Sequence, residues 1–375
     1  MGPLEGFKII EIAGIGPGQL AGQLLADMGA SVIRIDRPFD ADVGFAIDPR
    51  FDILNRSRPV IGVDLKTKQG ADLVLDLCED ADAIFEGFRP GAMERLGLGP
   101  VECMARNPKL VYGRMTGWGQ DGPLSTAIGH DANFIALSGV YAAIGEKGGA
   151  PVYPMNLIGD MGGGGAYLVI GMLSAMLEAT KSGRGQVVDA AMIDGAASQM
   201  GMIWGLRAAG LWQDERGSNI LDGGAPFSCA YKTSDDQYIA VAPIENRFYR
   251  NLLESLGIDD IDPATQYDAS KWSSVRHKLQ SVFETKTRDE WSDLLDGTDT
   301  CCTPILTMAE VASHPHNAAR KTFVEIEGIP QPAPAPRFSR TQSEISCAAG
   351  PANPNICEVL KSWGASTETL DKLTD

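Results

Sequence analysis

Gly129-His130-Asp131, the segment Asn156-Leu157-Ile158-Gly159-Asp160-Met161 and the run Gly162-Gly163-Gly164-Gly165 carry the side chains in this chain best suited to proton chemistry. An imidazole with an unperturbed pKa of ~6.5 holds or releases a proton near neutrality. Thirty positions after His130 comes a carboxylate, which reads as the opening of a glycine-cushioned helix. Asp160 suits an acid's role only if its pKa rises from ~3.9, and burial beside Met155, Leu157, Ile158 and Met161 would raise it by disfavouring the charge. Asn156 sits four residues earlier, and if that stretch is one helical turn its amide faces the carboxylate and can orient it. The glycines would let backbone approach a substrate, and unpaired N–H groups at the helix start favour negative charge. Each residue also has a plainer reading: His130 as a structural histidine, Asp160 as a helix cap.

These residues need a frame. Lys8 to Glu11 reads as a strand, Gly14-Ile15-Gly16-Pro17-Gly18 as a turn into a helix from Leu20 to Met28, and Ser31 to Asp36 as a second strand. The alternation continues with strands at Pro59 to Leu65, Ala83 to Phe85 and Leu110 to Thr116, and helices at Gly70 to Cys78 and Gly91 to Leu96. Such βαβ units predict an α/β fold with a doubly wound parallel sheet. A strand at Gln186 to Asp189 and a long helical stretch to about Gly210 follow the glycine helix. The pattern then changes to a hairpin, Cys229 to Thr233 against Gln237 to Ala242, with helices at Arg247 to Leu256 and Lys271 to Thr285. Gly328 to Pro336, with its four prolines, reads as a linker, and a last helix near Cys357 to Trp363 rejoins the first domain. The expected organisation is a large domain over 1–190 completed by 330–375, a linker helix over 191–222, a small α/β domain over 223–310 and a return linker over 311–329.

The turn Gly14-x-Gly16-x-Gly18, with Asp36 ending the next strand, is similar to a dinucleotide fingerprint, but weakly. Pro17 removes an N–H from the phosphate cradle and the third glycine comes one position early, so helix–strand packing is the preferred reading.

With 375 residues, the chain exceeds one ordinary core, and 44% hydrophobic with 22% charged residues is the composition of a globular enzyme. A net charge of −17 argues against nucleic acid and anionic membranes as partners. Seven cysteines (Cys78, Cys103, Cys229, Cys301, Cys302, Cys347, Cys357) form no zinc-binding spacing, and His277, His314 and His316 fall on a polar helix face and in a proline-broken turn, so no metal is expected. The uncharged stretch from Met161 to Leu177 is short for a membrane span and reads as a helix buried in protein, at a subunit contact. Neither the first residues nor Lys372-Leu373-Thr374-Asp375 match a secretory or peroxisomal signal, which makes the cytoplasm the expected compartment.

Over its whole length the chain resembles the family III CoA-transferase superfamily (CaiB/BaiF-like), and within it the α-methylacyl-CoA racemases. The matching blocks are Ile33-Arg34-Ile35-Asp36-Arg37-Pro38, Asn55-Arg56-Ser57, Val63-Asp64-Leu65-Lys66, Glu86-Gly87-Phe88-Arg89-Pro90-Gly91, Gly117-Trp118-Gly119-Gln120, Gly129-His130-Asp131, Asn156 with Asp160 and its glycines, and Gly223-Gly224-Ala225-Pro226-Phe227. The resemblance implies a large Rossmann-like CoA-binding domain, a small α/β domain and an interlocked homodimer. It implies an isomerase that inverts the α-carbon of 2-methylacyl-CoA thioesters, with CoA as part of the substrate and no separate cofactor. A proton beside a thioester carbonyl is weakly acidic, so its removal needs a positioned base and donors aimed at the enolate oxygen; inversion needs a second proton carrier on the opposite face. By resemblance, His130 and Asp160 are that pair, Glu245 pairs with His130, and the backbone N–H of Asp131 meets the enolate oxygen.

CoA needs cations for its phosphates and an apolar slot for its adenine. Arg37, Arg56, Arg58, Lys66, Arg89 and Arg95 lie at or just after strand ends, where open α/β sheets bind ligands. The resemblance favours Arg37, Arg89 and Arg95, with Val63 and Leu65 around the adenine and Lys66, Glu86, Gly129 and Asp131 in the CoA-binding blocks. A methionine-rich apolar surface that includes Met155 and Met161 would take the acyl chain. Three rival readings stand beside this one: a CoA-transferase with Asp160 as covalent nucleophile, a nicotinamide-dependent dehydrogenase, and a CoA-binding scaffold without catalysis.

Overall fold

The computed structural model describes residues 2–38 and 47–371, and it divides into two compact units. The C-terminal Lys372-Leu373-Thr374-Asp375, read above for a targeting signal, lies outside the described residues.

The first unit comprises 1–138, 155–199 and 319–375. Its strands β1 (Lys8–Ile12), β2 (Ser31–Asp36), β3 (Val60–Gly62), β4 (Ala83–Glu86), β5 (Val111–Thr116) and β6 (Val187–Ala191) form one parallel sheet in the order β3-β2-β1-β4-β5-β6. That is the doubly wound order expected for alternating strands and helices. Successive strand residues point to opposite faces. Ile10, Ile33 and Ile84 therefore enter a core under α2 (Lys68–Asp80), whereas Ile9, Val32 and Phe85 enter a second core under α1 (Pro17–Asp27). Burial on both faces explains why these strands read as continuous apolar runs.

Local chemistry sets the helix ends. Thr67 caps α2 by accepting from the Gly70 N–H at 3.0 Å, and Pro17 opens α1 at a position whose N–H would have no helical partner. The short helices α3 (Ala92–Arg95) and α4 (Pro100–Arg106) precede β5, and α5 (Asp131–Leu137) follows it.

The chain's end closes this unit. Val359, Leu360 and Trp363 join the α2-side core, and the Trp363 indole donates to the Ser31 carbonyl at 2.9 Å. The proline-rich segment is a hairpin, β10 (Phe323–Ile326) against β11 (Ile329–Pro332), rather than a linker. Arg56 reaches it, donating to Gln331 Oε1 at 2.8 Å and the Pro332 carbonyl at 2.7 Å.

The second unit comprises 139–154 and 200–318. The expected hairpin forms as β7 (Cys229–Lys232) and β8 (Tyr238–Val241), and β9 (Cys302–Pro304) adds a third antiparallel strand that alternation over three residues is too short to announce. Phe227, Tyr231, Tyr249, Phe283 and Trp291 build its core, with the Tyr231 and Phe283 rings stacked at 5.1 Å. The excursion 139–154 belongs here because Arg216 donates to the Ala142 carbonyl at 2.9 Å and to the Gly149 carbonyl at 2.6 Å. Between 199 and 200, where a continuous linker helix is expected, one helix ends and another, Gly201–Ala208, begins in the second unit.

Candidate active site

The strand order reverses between β1 and β4, and an open parallel sheet binds ligands beyond its strand ends at such a point. A cavity of about 490 Å³ lies there, lined by Gly14 to Gly18 after β1, Gly87 to Pro90 after β4 and Thr116 to Trp118 after β5. His130, Asn156 and Asp160 line this same cavity.

His130 is exposed and precedes α5, where its N–H donates to Asn133 Oδ1 at 3.0 Å. Asp160 lies on the helix Met155–Ser182, which starts five residues before the carboxylate rather than at it. From Ile158 to Ala166 this helix is widened into π turns, a distortion often found at functional positions. The Asn156 amide donates to Asp160 Oδ2 at 3.0 Å, the contact its spacing requires. The Asp160 N–H is not left open for an anion. It donates to Asp131 Oδ2 at 2.7 Å, because the earlier helix start brings it under α5.

Burial is the main force that pushes the Asp160 carboxyl above the ordinary aspartate range, and the nearby Asp131 charge adds to it; the Asn156 hydrogen bond and His130 work the other way. Two of the four residues expected to bury it are themselves largely exposed. Met155 is 63% and Leu157 53% exposed. Gly16 of the Gly14–Gly18 turn approaches the carboxyl, and a Cβ there would lie 3.3 Å from Asp160 Oδ2.

The glycine run has a different task from the one expected. None of Gly162 to Gly165 lines the cavity. A Cβ on Gly163 would sit 2.7 Å from the Ala196 nitrogen, one on Gly164 would sit 2.9 Å from Pro17 Cβ, and one on Gly165 would sit 2.7 Å from the Pro17 carbonyl. These glycines let the helix approach α1 and the helix Met192–Gln199 at backbone distance. The same helix, at 28 residues, is long and apolar enough for a membrane span by composition, longer than the 161–177 stretch suggested, and its Gly163–Gly165 face is buried by these neighbours.

Met155 and Met161 are absent from the lining; Met115, Met192, Phe134 and Trp118 supply the apolar surface. Asp131 is buried, and its Oδ1 has no hydrogen-bond partner among the described residues. Its carboxylate role was missed because side-chain-to-backbone contacts across 29 positions leave no periodic mark in a sequence.

The candidate cations divide. Arg89 and Gly129 line the cavity, and Arg37, Lys66 and Arg95 are exposed near the ends of β2, β3 and β4. Val63 is buried and Leu65 half-buried after β3. Arg56 and Arg58 are not available to a phosphate: Arg56 pairs with Asp27 at 2.7 Å with both side chains 2% exposed, and Arg58 pairs with Glu11 at 2.6 Å with both fully buried. Glu86 is buried at the end of β4 and accepts from the Phe88 N–H at 2.6 Å, which fixes the start of the 87–91 loop. Burial raises its carboxyl to about 7, against the pull of the Phe88 N–H and the Arg114 charge.

Glu245 belongs to the second unit, exposed just before the helix Asn246–Ser255. Burial, and after it the Glu245 charge, pushes the Tyr267 hydroxyl and the Cys301 thiol upward. All seven cysteines are free. No group of metal-binding side chains occurs among the described residues.

Comparison with known proteins agrees with this architecture. The family model for CoA-transferase family III matches residues 4–354. The chain is 41% identical to the alpha-methylacyl-CoA racemase of Mus musculus over 372 residues, 99% of this chain and 96% of that protein. It is 38% identical to the Homo sapiens protein of the same name, again over 99% of this chain and 96% of the relative. A crystal structure of a CAIB/BAIF family protein from Brucella suis superposes with a TM-score of 0.82 at 26% identity, covering 96% of this chain and 99% of that one. With a matching family model over nearly all its length and the doubly wound sheet that frames His130 and Asp160, this chain belongs to the family III CoA-transferases.

Proposed function

We propose that the chain is a racemase of 2-methylacyl-CoA thioesters. The observation that carries this reading is the convergence of an imidazole and a half-buried carboxyl whose pKa burial raises, His130 and Asp160, on one cavity at the sheet's switch point. The full-length similarity to two alpha-methylacyl-CoA racemases supports the same reaction.

In the proposed reaction one of the two groups takes the α-proton, leaving an enolate whose charge rests on the thioester oxygen. The other returns a proton to the opposite face, and the roles exchange in the reverse direction. The N–H of Asp131, in the first turn of α5, has no partner within its helix and suits the developing oxyanion. Asn156 orients the Asp160 carboxyl, and Glu245 is the proposed partner of the His130 ring, on the strength of resemblance. Arg37, Arg89 and Arg95 would take the CoA phosphates, with Lys66 and Glu86 beside them and Val63 and Leu65 near the adenine. CoA enters as part of the substrate, and no further cofactor is invoked. We also propose a homodimer acting in the cytoplasm, without nucleic-acid or membrane partners, in keeping with the net charge of −17.

A transferase would use Asp160 as a covalent nucleophile, a role that gives His130 no part in the chemistry, whereas racemisation needs both groups on the one cavity they share. The test is to incubate the protein with one epimer of a 2-methylacyl-CoA in deuterium oxide, with no second acid and no nicotinamide, and to follow the α-carbon by NMR. Deuterium uptake with loss of optical purity is expected. Acyl movement only after a free carboxylic acid is added would replace the racemase reading with the transferase.

A further inference from the structure

The glycine turn that reads as a weak nucleotide cradle lies against the candidate acid. Gly16, with φ +65°, is the residue whose Cβ would meet Asp160 Oδ2 at 3.3 Å, and this is the oxygen that accepts from Asn156. The carboxyl is thus bounded on one side by an amide and on the other by the bare α-carbon of a glycine. A turn so rich in glycine is free to wander unless something holds it.

Side chains hold the turn and the start of α1 at three points. The Gly16 N–H donates to Gln19 Oε1 at 2.9 Å. The Gly14 carbonyl accepts from Arg34 Nη2 at 3.0 Å, and the Gln19 carbonyl accepts from Arg58 Nη2 at 3.0 Å. Both arginines are anchored on the fully buried Glu11. Gln19 is itself fixed from behind, its amide donating to Asp52 Oδ2 at 2.8 Å and Asn55 Oδ1 at 3.2 Å. Its acceptor end therefore points at Gly16 because its donor end is committed to Asp52 and Asn55.

We propose that Gln19 is a positioning residue for Asp160, acting through Gly16: it presses the turn onto the carboxyl, holds it in one orientation and keeps water from Oδ2. The inference rests on the reading of Asp160 as a proton carrier. The same Gln19 contact caps the start of α1, with Gly16 at the N-cap and Gln19 three residues on, so the cap that begins the helix also sets the turn against the carboxyl.

The test compares Gln19→Ala and the near-isosteric Gln19→Met with the double variant Gln19→Glu/Asp52→Asn and with Asp160→Asn, using epimerisation kinetics on a 2-methylacyl-CoA across pH. In Gln19→Ala and Gln19→Met the Gly16 N–H loses its acceptor. Misplacement of the reacting group should lower kcat by about 10- to 100-fold while KM changes by less than about 3-fold. Water reaching the carboxyl should move the limb of the kcat profile that belongs to Asp160 to lower pH. Gln19→Glu/Asp52→Asn keeps an acceptor for Gly16 and lets position 52 donate to position 19, while the contact to Asn55 Oδ1 is lost, so it should recover part of kcat and move the limb back toward the parent. Circular dichroism melts check that each variant is folded. Unchanged kcat and pH limb in a folded Gln19→Met, beside an inactive Asp160→Asn, would overturn the proposal and leave the acid–base reading standing. A rise in KM alone would also overturn it, and full activity in Asp160→Asn would remove the reading on which it rests.

Discussion

The backbone N–H of Asp160 donates to the carboxylate of Asp131 at 2.7 Å, so the residue that follows the candidate imidazole holds the backbone of the candidate acid. The segment that carries His130 and the helix that carries Asp160 are thereby joined by one hydrogen bond through Asp131.

This contact separates geometry from charge. In Asp131→Asn the amide oxygen still accepts from the Asp160 N–H, but the neighbouring anion that helps raise the Asp160 carboxyl is gone. The Asp160 limb of the kcat/KM profile should move to lower pH, with activity retained within about 10-fold. Asp131→Ala leaves that part-buried N–H without its carboxylate partner, at a cost of about 1–3 kcal/mol in urea denaturation and a deeper loss of activity.

His130→Ala and Asp160→Ala should each abolish epimerisation and α-proton exchange. CoA affinity, measured by calorimetry with CoA alone, should stay within about 3-fold of the parent, because neither side chain is asked to bind phosphate. A parallel loss of CoA affinity and activity would refute both assignments.

Arg56 is a structural residue on this geometry. Asp27→Ala should destabilise the fold by about 3–5 kcal/mol, since it leaves a buried guanidinium without its carboxylate. If Arg56 instead served the CoA phosphates, Asp27→Ala would weaken CoA binding without lowering the melting temperature.

Glu86 makes stability depend on pH. Its carboxyl is raised by burial from the usual 4.5 to about 7. Between those values the unfolded chain has released a proton that the fold retains, so this residue's contribution to stability falls as pH rises, by about 3 kcal/mol across the window. Urea midpoints of Glu86→Gln should lack that part of the slope seen in the parent between pH about 4.5 and 7.

Gly165→Ala should lower stability by about 1–3 kcal/mol, because its Cβ would stand 2.7 Å from the Pro17 carbonyl and backbone must yield. Activity should fall with it, as the same helix carries Asp160. An unchanged melting temperature would show that the glycine run is not a packing face.

Much of this was legible in the chain. Apolar runs such as Lys8-Ile9-Ile10-Glu11-Ile12 fix buried strands by composition, the Asn156–Asp160 spacing predicts its hydrogen bond, and the motif blocks carry the family. The cation list was legible only as a list. Arg56 and Arg89 look alike in sequence, yet one is walled in by Asp27 and Gln331 and the other faces the cavity.

The sequence by itself determined the βαβ alternation, the two chemical groups and their family, because hydrophobic period and residue type are local properties that the chain states directly. Tertiary structure alone decided that the glycine run packs helices, that Gly16 of the Gly14–Gly18 turn lies against Asp160, and that Asp131 holds its backbone. Those facts depend on which distant segments meet, and burial, which sets the proton affinity of Asp160, exists only after they have met.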